Sequence, residues 1–340
     1  MTALQTALQI PSEPDSIRTC TAPPAVQGPQ GGFVDEGQET WYRIEGHDRQ
    51  PPFFMTLAGD SDLWAFVSSA GSLTAGRGTA EGAFLPYETV DKIHLRWEHT
   101  GPRTWIRFDG PEGPVLWEPF ALRPQGSEAS RSLWKNLSGT RIRFREDHAG
   151  MRFEYEWFTS AELGLVRTAR LAAIAPDSTR RVQVLDGVLN LLPPGVGVKT
   201  SATLSSLADA YKWNESAAGG RLGLFTLYAQ IWDRAEPKES FHALTAWHAG
   251  LPAGTCSLLS AHQVGAFCAG APVQAEPLTR GRRSAFLVAF DAPLDTGACE
   301  WHIVIDGPRS QVECFCLLYT SSRKGPISMR GSRSSNPCAT

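Results

Sequence analysis

The chain has 340 residues, a formal net charge of −3, 42% hydrophobic residues and 20% charged residues. This length allows one large domain or two ordinary ones, and the composition excludes wholesale disorder, a fibrous protein and a disulfide-stapled miniprotein. Because the chain is not basic, it has no positive field that would attract nucleic acid or an anionic membrane. We therefore expect neither as a partner.

The termini and the cysteines indicate where the protein works. Residues 1–11 lack the basic start and apolar run of a signal peptide, and no segment has the ~18 uninterrupted apolar residues that span a bilayer. The seven cysteines are odd in number and show no CxxC spacing. These features predict a reduced, cytoplasmic protein. No phosphate-binding loop and no histidine or cysteine cluster with metal-ligand spacing is found, so we expect no cofactor and no metal.

The first 32 residues are poor in large apolar side chains and rich in proline, which predicts a flexible N-terminal arm. From Phe33 onwards, short apolar segments alternate with turn residues, as is typical of an all-β domain. The clearest case spans residues 141–158, where two alternating arms flank the linker 146–150. This pattern predicts a β-hairpin with arginines facing glutamates across the strands on its wet face.

Further strands are predicted by the same alternation at residues 165–173, 181–192, 222–232, 241–247, 283–290 and 301–306. Residues 205–216 carry apolar side chains at helical spacing and predict a helix. Long antiparallel strands without a sequence repeat favour a large two-sheet sandwich with one or two short helices, extending over residues 33–313.

The C-terminal segment, residues 314–340, differs from the rest of the chain. It is basic and serine-rich, and residues 316–321 (CLLYTS) resemble the translation of a transposon end used in sequencing libraries. We therefore expect this segment to be non-native, with a disordered basic tail as the alternative.

Aromatic residues are the strongest chemical signal. Seven of the eleven tryptophans precede residue 160, and aromatic rings stack on the apolar faces of sugars while Asp, Glu and Arg bind hydroxyls. Tryptophans on strands also fill the core of a large sandwich, and we expect about three-quarters of these rings to do so. No nucleophile motif is present, so we expect no catalytic residue. A mutarotase-type epimerase would need a histidine base and a carboxylate, for which His94 and Glu88 are the candidates.

Several segments resemble the opening of cellobiose-phosphorylase-like (glycoside hydrolase family 94-like) proteins, in the order that such proteins would place them. They are residues 52–55 (PFFM), 64–77 (WAFVSSAGSLTAGR), 84–93 (FLPYETVDKI), 190–193 (NLLP), 209–212 (DAYK), 233–237 (DRAEP) and 301–304 (WHIV). The resemblance covers roughly residues 33–311.

This resemblance implies a galactose-mutarotase-like β-supersandwich that precedes an (α/α)6 barrel in a glycoside phosphorylase or hydrolase, enzymes grouped with glycosyltransferases. The barrel carries the general acid, so the sandwich is expected to be inactive alone and to contribute to sugar binding or to a homodimer contact. By position, the implied substrate-binding residues are Arg77, Tyr87, Asp91 and Lys92. An equal alternative, called the lock interpretation, is that an Arg–carboxylate ion pair among these residues fixes the turn. The expected partners are an oligosaccharide or sugar and the missing C-terminal barrel. Two alternatives stay open: a free-standing carbohydrate-binding protein and a mutarotase-like sugar epimerase.

Overall fold

The computed structural model describes residues 28–122, 129–175, 181–229, 231, 242–292, 294 and 297–323. Within these ranges the chain is an all-β sandwich, as predicted, and strands make up 53% of it. The strands are β1 (Gln30–Glu36), β2 (Glu39–Glu45), β3 (Phe54–Leu57), β4 (Leu63–Ser68), β5 (Leu73–Arg77), β6 (Gly101–Gly110), β7 (Gly113–Trp117), β8 (Ser130–Asn136), β9 (Arg141–His148), β10 (Met151–Ser160), β11 (Gly164–Ala173), β12 (Val182–Leu191), β13 (Lys212–Ala217), β14 (Leu222–Leu227), β15 (His242–Ala249), β16 (Cys256–Ser260), β17 (Leu278–Arg280), β18 (Ser284–Ala292) and β19 (Ala298–Ser310).

The described ranges also contain five helices, of which the first four lie between strands and the last follows β19. They are α1 (Val90–Ile93), α2 (Val198–Thr203), α3 (Ser205–Ala210), α4 (Val264–Cys268) and α5 (Gln311–Arg323), with single 3-10 turns at His47–Arg49, Ala80–Gly82 and Ala218–Gly220. No helix among the described residues has the length and apolarity that crossing a membrane requires.

Three antiparallel sheets form the sandwich. The largest has eleven strands in the order β1-β2-β8-β9-β10-β11-β19-β15-β14-β13-β17. A five-stranded sheet, β16-β18-β12-β6-β7, and a three-stranded sheet, β3-β4-β5, complete it. Alternate side chains of all three sheets contribute to one main apolar core, in which Trp117, Trp157 and Trp301 are at most 1% exposed. Period-two alternation therefore places one face of each sheet in the interior.

The predicted hairpin is present as β9 and β10. Arg143 lies opposite Glu156 and Arg145 lies opposite Glu154, so opposite charges face each other as expected. The connection is shorter than the predicted linker, because pairing continues to His148 and Met151. Only Ala149 and Gly150 form the turn, both with positive φ, which is the geometry of a two-residue hairpin turn.

The predicted helix at residues 205–216 is wrong in its second half. Helix α3 ends at Ala210, and β13 begins at Lys212. Buried Lys212 and Asn214 alternate with less buried neighbours along β13. Asn214 donates to Thr279 Oγ1 at 3.0 Å and accepts from Ser284 Oγ at 3.0 Å, so pairing within the sandwich outweighs the local helical spacing.

Parts of both chain ends lie outside the residues that the structure describes. Residues 1–27, which fall in the expected flexible arm, are not among the described residues, whereas Gln30 already belongs to β1. In the segment expected to be non-native or disordered, residues 314–323 lie in α5 and residues 324–340 are not described. Cys314 of α5 is buried beside Leu222, Leu224 and Ala243.

A polar cluster sits between the two larger sheets and is called the Asp186 cluster here; its members are Thr104, Arg167, Asp186 and Trp301. Arg167 and Asp186 are fully buried and form an ion pair of 2.6 Å between Nη1 and Oδ2. Thr104 Oγ1 donates to Asp186 Oδ1 at 2.6 Å, and Trp301 Nε1 donates to Asp186 Oδ2 at 2.7 Å. The aspartate thereby joins four strands from both sheets, and its charge is compensated inside the protein.

Candidate functional site

Arg77, the first of the predicted substrate-binding residues, lies at the end of β5. Its Nε donates to Asp306 Oδ1 at 2.8 Å, and its Nη1 contacts Asp62. The Asp306 side chain is only 4% exposed and also binds Arg309, near the end of β19. These contacts tie β5 to β19, as the lock interpretation of this residue requires.

The other three predicted residues lie around α1. Tyr87 is 39% exposed and makes an edge-to-face contact with Trp64, with ring centroids 5.7 Å apart. Asp91 and Lys92 are exposed on α1, and Asp91 accepts a hydrogen bond of 2.6 Å from Thr89 Oγ1. This bond lowers the pKa of Asp91. No hydrogen bond or ion pair joins Arg77 to these three residues within the described part of the chain.

A cleft lies at the end of the five-stranded sheet where β6 and β18 begin and where β12 and β16 end. It consists of a larger cavity of about 540 Å³ and a smaller one of about 100 Å³, which share His99, Asn190 and Arg283. The larger cavity is also lined by Glu98, Trp105, Leu189, Ser260, Ala261, His262, Val264, Arg282, Ser284 and Ala285. The smaller one is also lined by Pro86, Glu88, Arg96, Thr100, Leu192, Ser201, Ala202, Ser205, Ala208, Asp209 and Lys212.

Two irregularities of the five-stranded sheet shape the cleft. The register between β12 and β18 shifts at Asn190, and the register between β16 and β18 shifts beside Ser260. Asn190 has a φ of 63°, in the left-handed region that few residues other than glycine adopt. Bulges of this kind aim side chains away from the regular pleat and are frequent next to binding sites. Here the Asn190 amide faces both cavities and donates to Thr100 Oγ1 at 2.9 Å.

A charged group closes the smaller cavity and is called the Asp209 corner here; its members are Asp209, Lys212 and Arg283. Lys212 Nζ lies 2.8 Å from Asp209 Oδ1, and Arg283 Nε lies 3.3 Å from Asp209 Oδ2. The Lys212 side chain is 1% exposed, and its burial lowers its pKa while Asp209 opposes that effect. The Arg283 side chain is half exposed, so this corner presents a cation to the water in the cleft.

Apolar surface lies beside these charges. Trp105, Leu189 and Ala285 line the larger cavity and belong to a second apolar cluster together with Phe267 of α4. The cleft therefore combines apolar surface with hydrogen-bonding groups of positive and negative charge. This is the usual composition of a site for a small polar ligand.

The two residues considered for an epimerase separate in the structure. Glu88 lines the smaller cavity and pairs with Arg96 at 3.2 Å. His94 does not line either cavity, and its Nδ1 forms a 2.7 Å hydrogen bond with Ser68 Oγ. The histidine that shares a cavity with Glu88 is His99.

Apart from Glu88, the residues that line this cleft were not predicted from the sequence. Asn190, Asp209 and Lys212 lie within segments that carry the family resemblance, NLLP and DAYK, yet no role was expected for them. A polar residue between two apolar runs, as Asn190 is, was the available signal for a bulge. Among the described residues, no group of three or more His, Cys, Asp or Glu side chains is placed to hold a metal ion.

No family model and no curated protein matches the sequence. Among solved structures, a bacterial glucoamylase in complex with acarbose aligns with a TM-score of 0.40 at 10% identity, over 81% of this chain and 36% of that one. A polysaccharide lyase aligns with a TM-score of 0.37 at 11% identity, over 79% of this chain and 34% of that one. The chain thus spans about a third of the length of these two carbohydrate-active enzymes.

Proposed function

We propose that this protein is a carbohydrate-binding β-sandwich that takes a sugar in the cleft between Asn190 and Arg283. The observation that carries the proposal is the cleft itself, in which an amide on a strained β-bulge and a charged corner face apolar surface. A sugar presents hydroxyls that both donate and accept hydrogen bonds, and its ring has apolar C–H faces. The Asn190 amide, the Asp209 carboxylate and the Arg283 guanidinium match the hydroxyls, and Trp105 and Leu189 match the ring.

The cavity size supports the same ligand class. About 540 Å³ lies within the range of small-molecule sites and leaves room for a mono- or disaccharide. The positive φ of Asn190 supports a binding role as well, because left-handed backbone at a residue other than glycine costs about 1–3 kcal/mol and tends to persist where function requires it.

The test is a calorimetric and NMR titration of the full chain with glucose, galactose and cellobiose, using glycerol as a polyol control. Asn190→Gly removes the amide and keeps the backbone conformation, since glycine adopts positive φ freely. Ala218→Gly is the matched control, because Ala218 also has positive φ (52°) and lines neither cavity. We expect Asn190→Gly to weaken sugar binding about tenfold and Ala218→Gly to leave it unchanged. Equal binding by both variants would contradict the proposal.

We also propose that the sandwich acts as a non-catalytic part of a glycoside phosphorylase or hydrolase of the cellobiose-phosphorylase-like kind, on the strength of the sequence resemblance. In such a protein, an (α/α)6 barrel would supply the catalytic acid, and Arg77, Tyr87, Asp91 and Lys92 remain predicted contacts to sugar or to the partner domain. The purified chain is expected to release neither glucose nor glucose 1-phosphate from cellobiose. Measurable release would show that it carries its own catalytic groups.

A mutarotase-like epimerase is the second candidate, and it is favoured by the presence of Glu88 and His99 in the same cavity. A carboxylate and an imidazole together can move the protons that anomer interconversion requires. Polarimetry of freshly dissolved α-glucose would detect the activity. It should disappear in both Glu88→Gln and His99→Ala if these residues carry it.

A further inference from the structure

The charges that line the cleft are not balanced. Its carboxylates belong to Glu88, Glu98 and Asp209, and its basic side chains belong to Arg96, Lys212, Arg282 and Arg283. Two of the carboxylates are paired with cations: Glu88 with Arg96, and Asp209 with both Lys212 and Arg283. Glu98 lies 3.9 Å from His99, which is charged only when protonated. The charge left over in the cleft is therefore positive, although the whole chain is acidic.

Arg282 is the basic side chain of the cleft that has no ion pair among the described residues. This side chain is exposed, lines the larger cavity and forms no ion pair with any residue that the structure describes. It belongs to the three-residue connection between β17 and β18, residues 281–283. Gly281 begins the connection with a φ of 62°, and its N–H donates to Lys212 O at 3.0 Å. The backbone that carries Arg282 is thus anchored to the same β13 residue that forms the Asp209 corner.

We propose that the cleft selects an acidic sugar, whose anionic group is bound by Arg282 while its hydroxyls meet Asn190 and the Asp209 corner; this rests on the sugar binding proposed above. A guanidinium presents parallel N–H donors that match a carboxylate or a phosphate, and such charge-assisted pairs are about twice as strong as neutral hydrogen bonds. With a neutral sugar in the cleft, the N–H donors of Arg282 would bind water and not the ligand. A uronic acid or a sugar phosphate would fill it.

The experiment compares glucuronate, glucose 6-phosphate and glucose by calorimetry on the full chain at low and high salt. The variants are Arg282→Gln, Arg282→Lys and, as the matched control, Arg280→Gln. Arg280 lies two residues away and stacks on Trp213, but it does not line either cavity. Both arginines are exposed, so neither change is expected to impair folding.

We expect at least one acidic sugar to bind the wild-type chain about tenfold or more tightly than glucose, with a preference that weakens at high salt. Arg282→Gln should abolish the preference, Arg282→Lys should restore part of it, and Arg280→Gln should keep it. The stronger of the two acidic sugars identifies the anionic group as a carboxylate or a phosphate.

Glucose binding as tight as that of both acidic sugars would overturn this inference and leave the proposed sugar binding intact. A preference that survives in Arg282→Gln would also overturn it, since another cation would then carry the recognition. Absence of binding by all three sugars would overturn the proposed function together with the inference.

Discussion

The Asp186 cluster and the Asp209 corner are built from the same chemical groups but differ in their access to water. In the Asp186 cluster, the arginine and the aspartate are completely buried, and Thr104 and Trp301 on neighbouring strands donate hydrogen bonds to the aspartate. In the Asp209 corner, the aspartate is 19% exposed, and Arg283 is half exposed and faces the cleft. An ion pair that is buried within the chain connects the two sheets. An ion pair that faces a cavity still has hydrogen-bond donors and acceptors that can bind a ligand.

The largest effect is expected in the interior. Asp186→Ala leaves the buried Arg167 charge without compensation and removes the acceptor of the Thr104 and Trp301 donors. We expect the free energy of unfolding to fall by about 3–5 kcal/mol, measured by urea denaturation. The matched control is Asp291→Ala, which breaks the exposed pair with Arg181 and should cost less than about 0.5 kcal/mol. A loss below about 1 kcal/mol in Asp186→Ala would show that the cluster does not hold the sheets.

Because the interior excludes water, we also expect the free energy of unfolding to depend on pH. Burial, with Arg221 nearby, lowers the pKa of His248 from 6.5 to about 4, and its ring packs on Phe286 of the facing sheet. Between these two pH values the unfolded chain binds more protons than the folded one, so stability falls as the pH is lowered. The loss from pH 7 to pH 5 should be about 2 kcal/mol for this group.

His248→Gln should reduce that pH dependence by about the same amount, whatever its effect on stability at pH 7. His47, whose pKa burial also lowers to about 4, should respond alike in His47→Gln. The check is urea unfolding at pH 5 and pH 7 for each chain. Identical pH slopes in wild type and variants would contradict the assignment.

Arg77 is a predicted sugar contact, and a substitution at this position tests whether it instead stabilises the fold, as the Asp186 cluster does. Because its side chain is 20% exposed and bridges Asp62 and Asp306, Arg77→Gln should lower the free energy of unfolding by about 1–2 kcal/mol. Sugar affinity should stay the same, because Arg77 does not line either cavity. A tenfold loss of affinity with unchanged stability would instead support the substrate-binding role predicted from the sequence.

The smallest effect on stability is expected in the cleft. Arg283→Gln removes a half-exposed ion pair and should change the free energy of unfolding by no more than about 0.5 kcal/mol. Sugar affinity, measured by calorimetry, should fall about tenfold because a charged donor is lost. Arg181→Gln, which removes an exposed arginine outside the cleft, is the control. A larger stability loss than in Arg77→Gln would reverse the comparison between the two regions.

Local patterns account for much of the fold. Alternation predicted the hairpin with its charge pairing, as well as the strands now seen as β11, β12, β15 and β18, because a strand with one buried face must alternate. The expectation that most early tryptophans fill the core is also confirmed. Five of the seven before residue 160 are buried, namely Trp41, Trp105, Trp117, Trp134 and Trp157, of which Trp105 also lines the larger cavity of the cleft.

The failures share one cause. Residues 212–216 have a helical spacing, yet their partners Thr279 and Ser284 lie about 70 residues further along the chain. The turn of the hairpin is shorter than predicted because Glu146 is fully buried and accepts a hydrogen bond from Trp117 Nε1 at 2.7 Å. In both places a distant partner decided the local structure, and a window of neighbouring residues does not contain it.

The sequence by itself determined the fold class, the main strand pattern and the aromatic core, because these depend on the period of apolar residues along a short stretch. The position and the lining residues of the cleft were determined only by the tertiary structure. Its groups come from residues 86–100, 105, 189–212, 260–264 and 282–285, which four strands and two bulges bring to one end of a sheet. Whether an arginine or an aspartate acts in the core or at a site depends on the water around it, and that is set by residues far away in the chain.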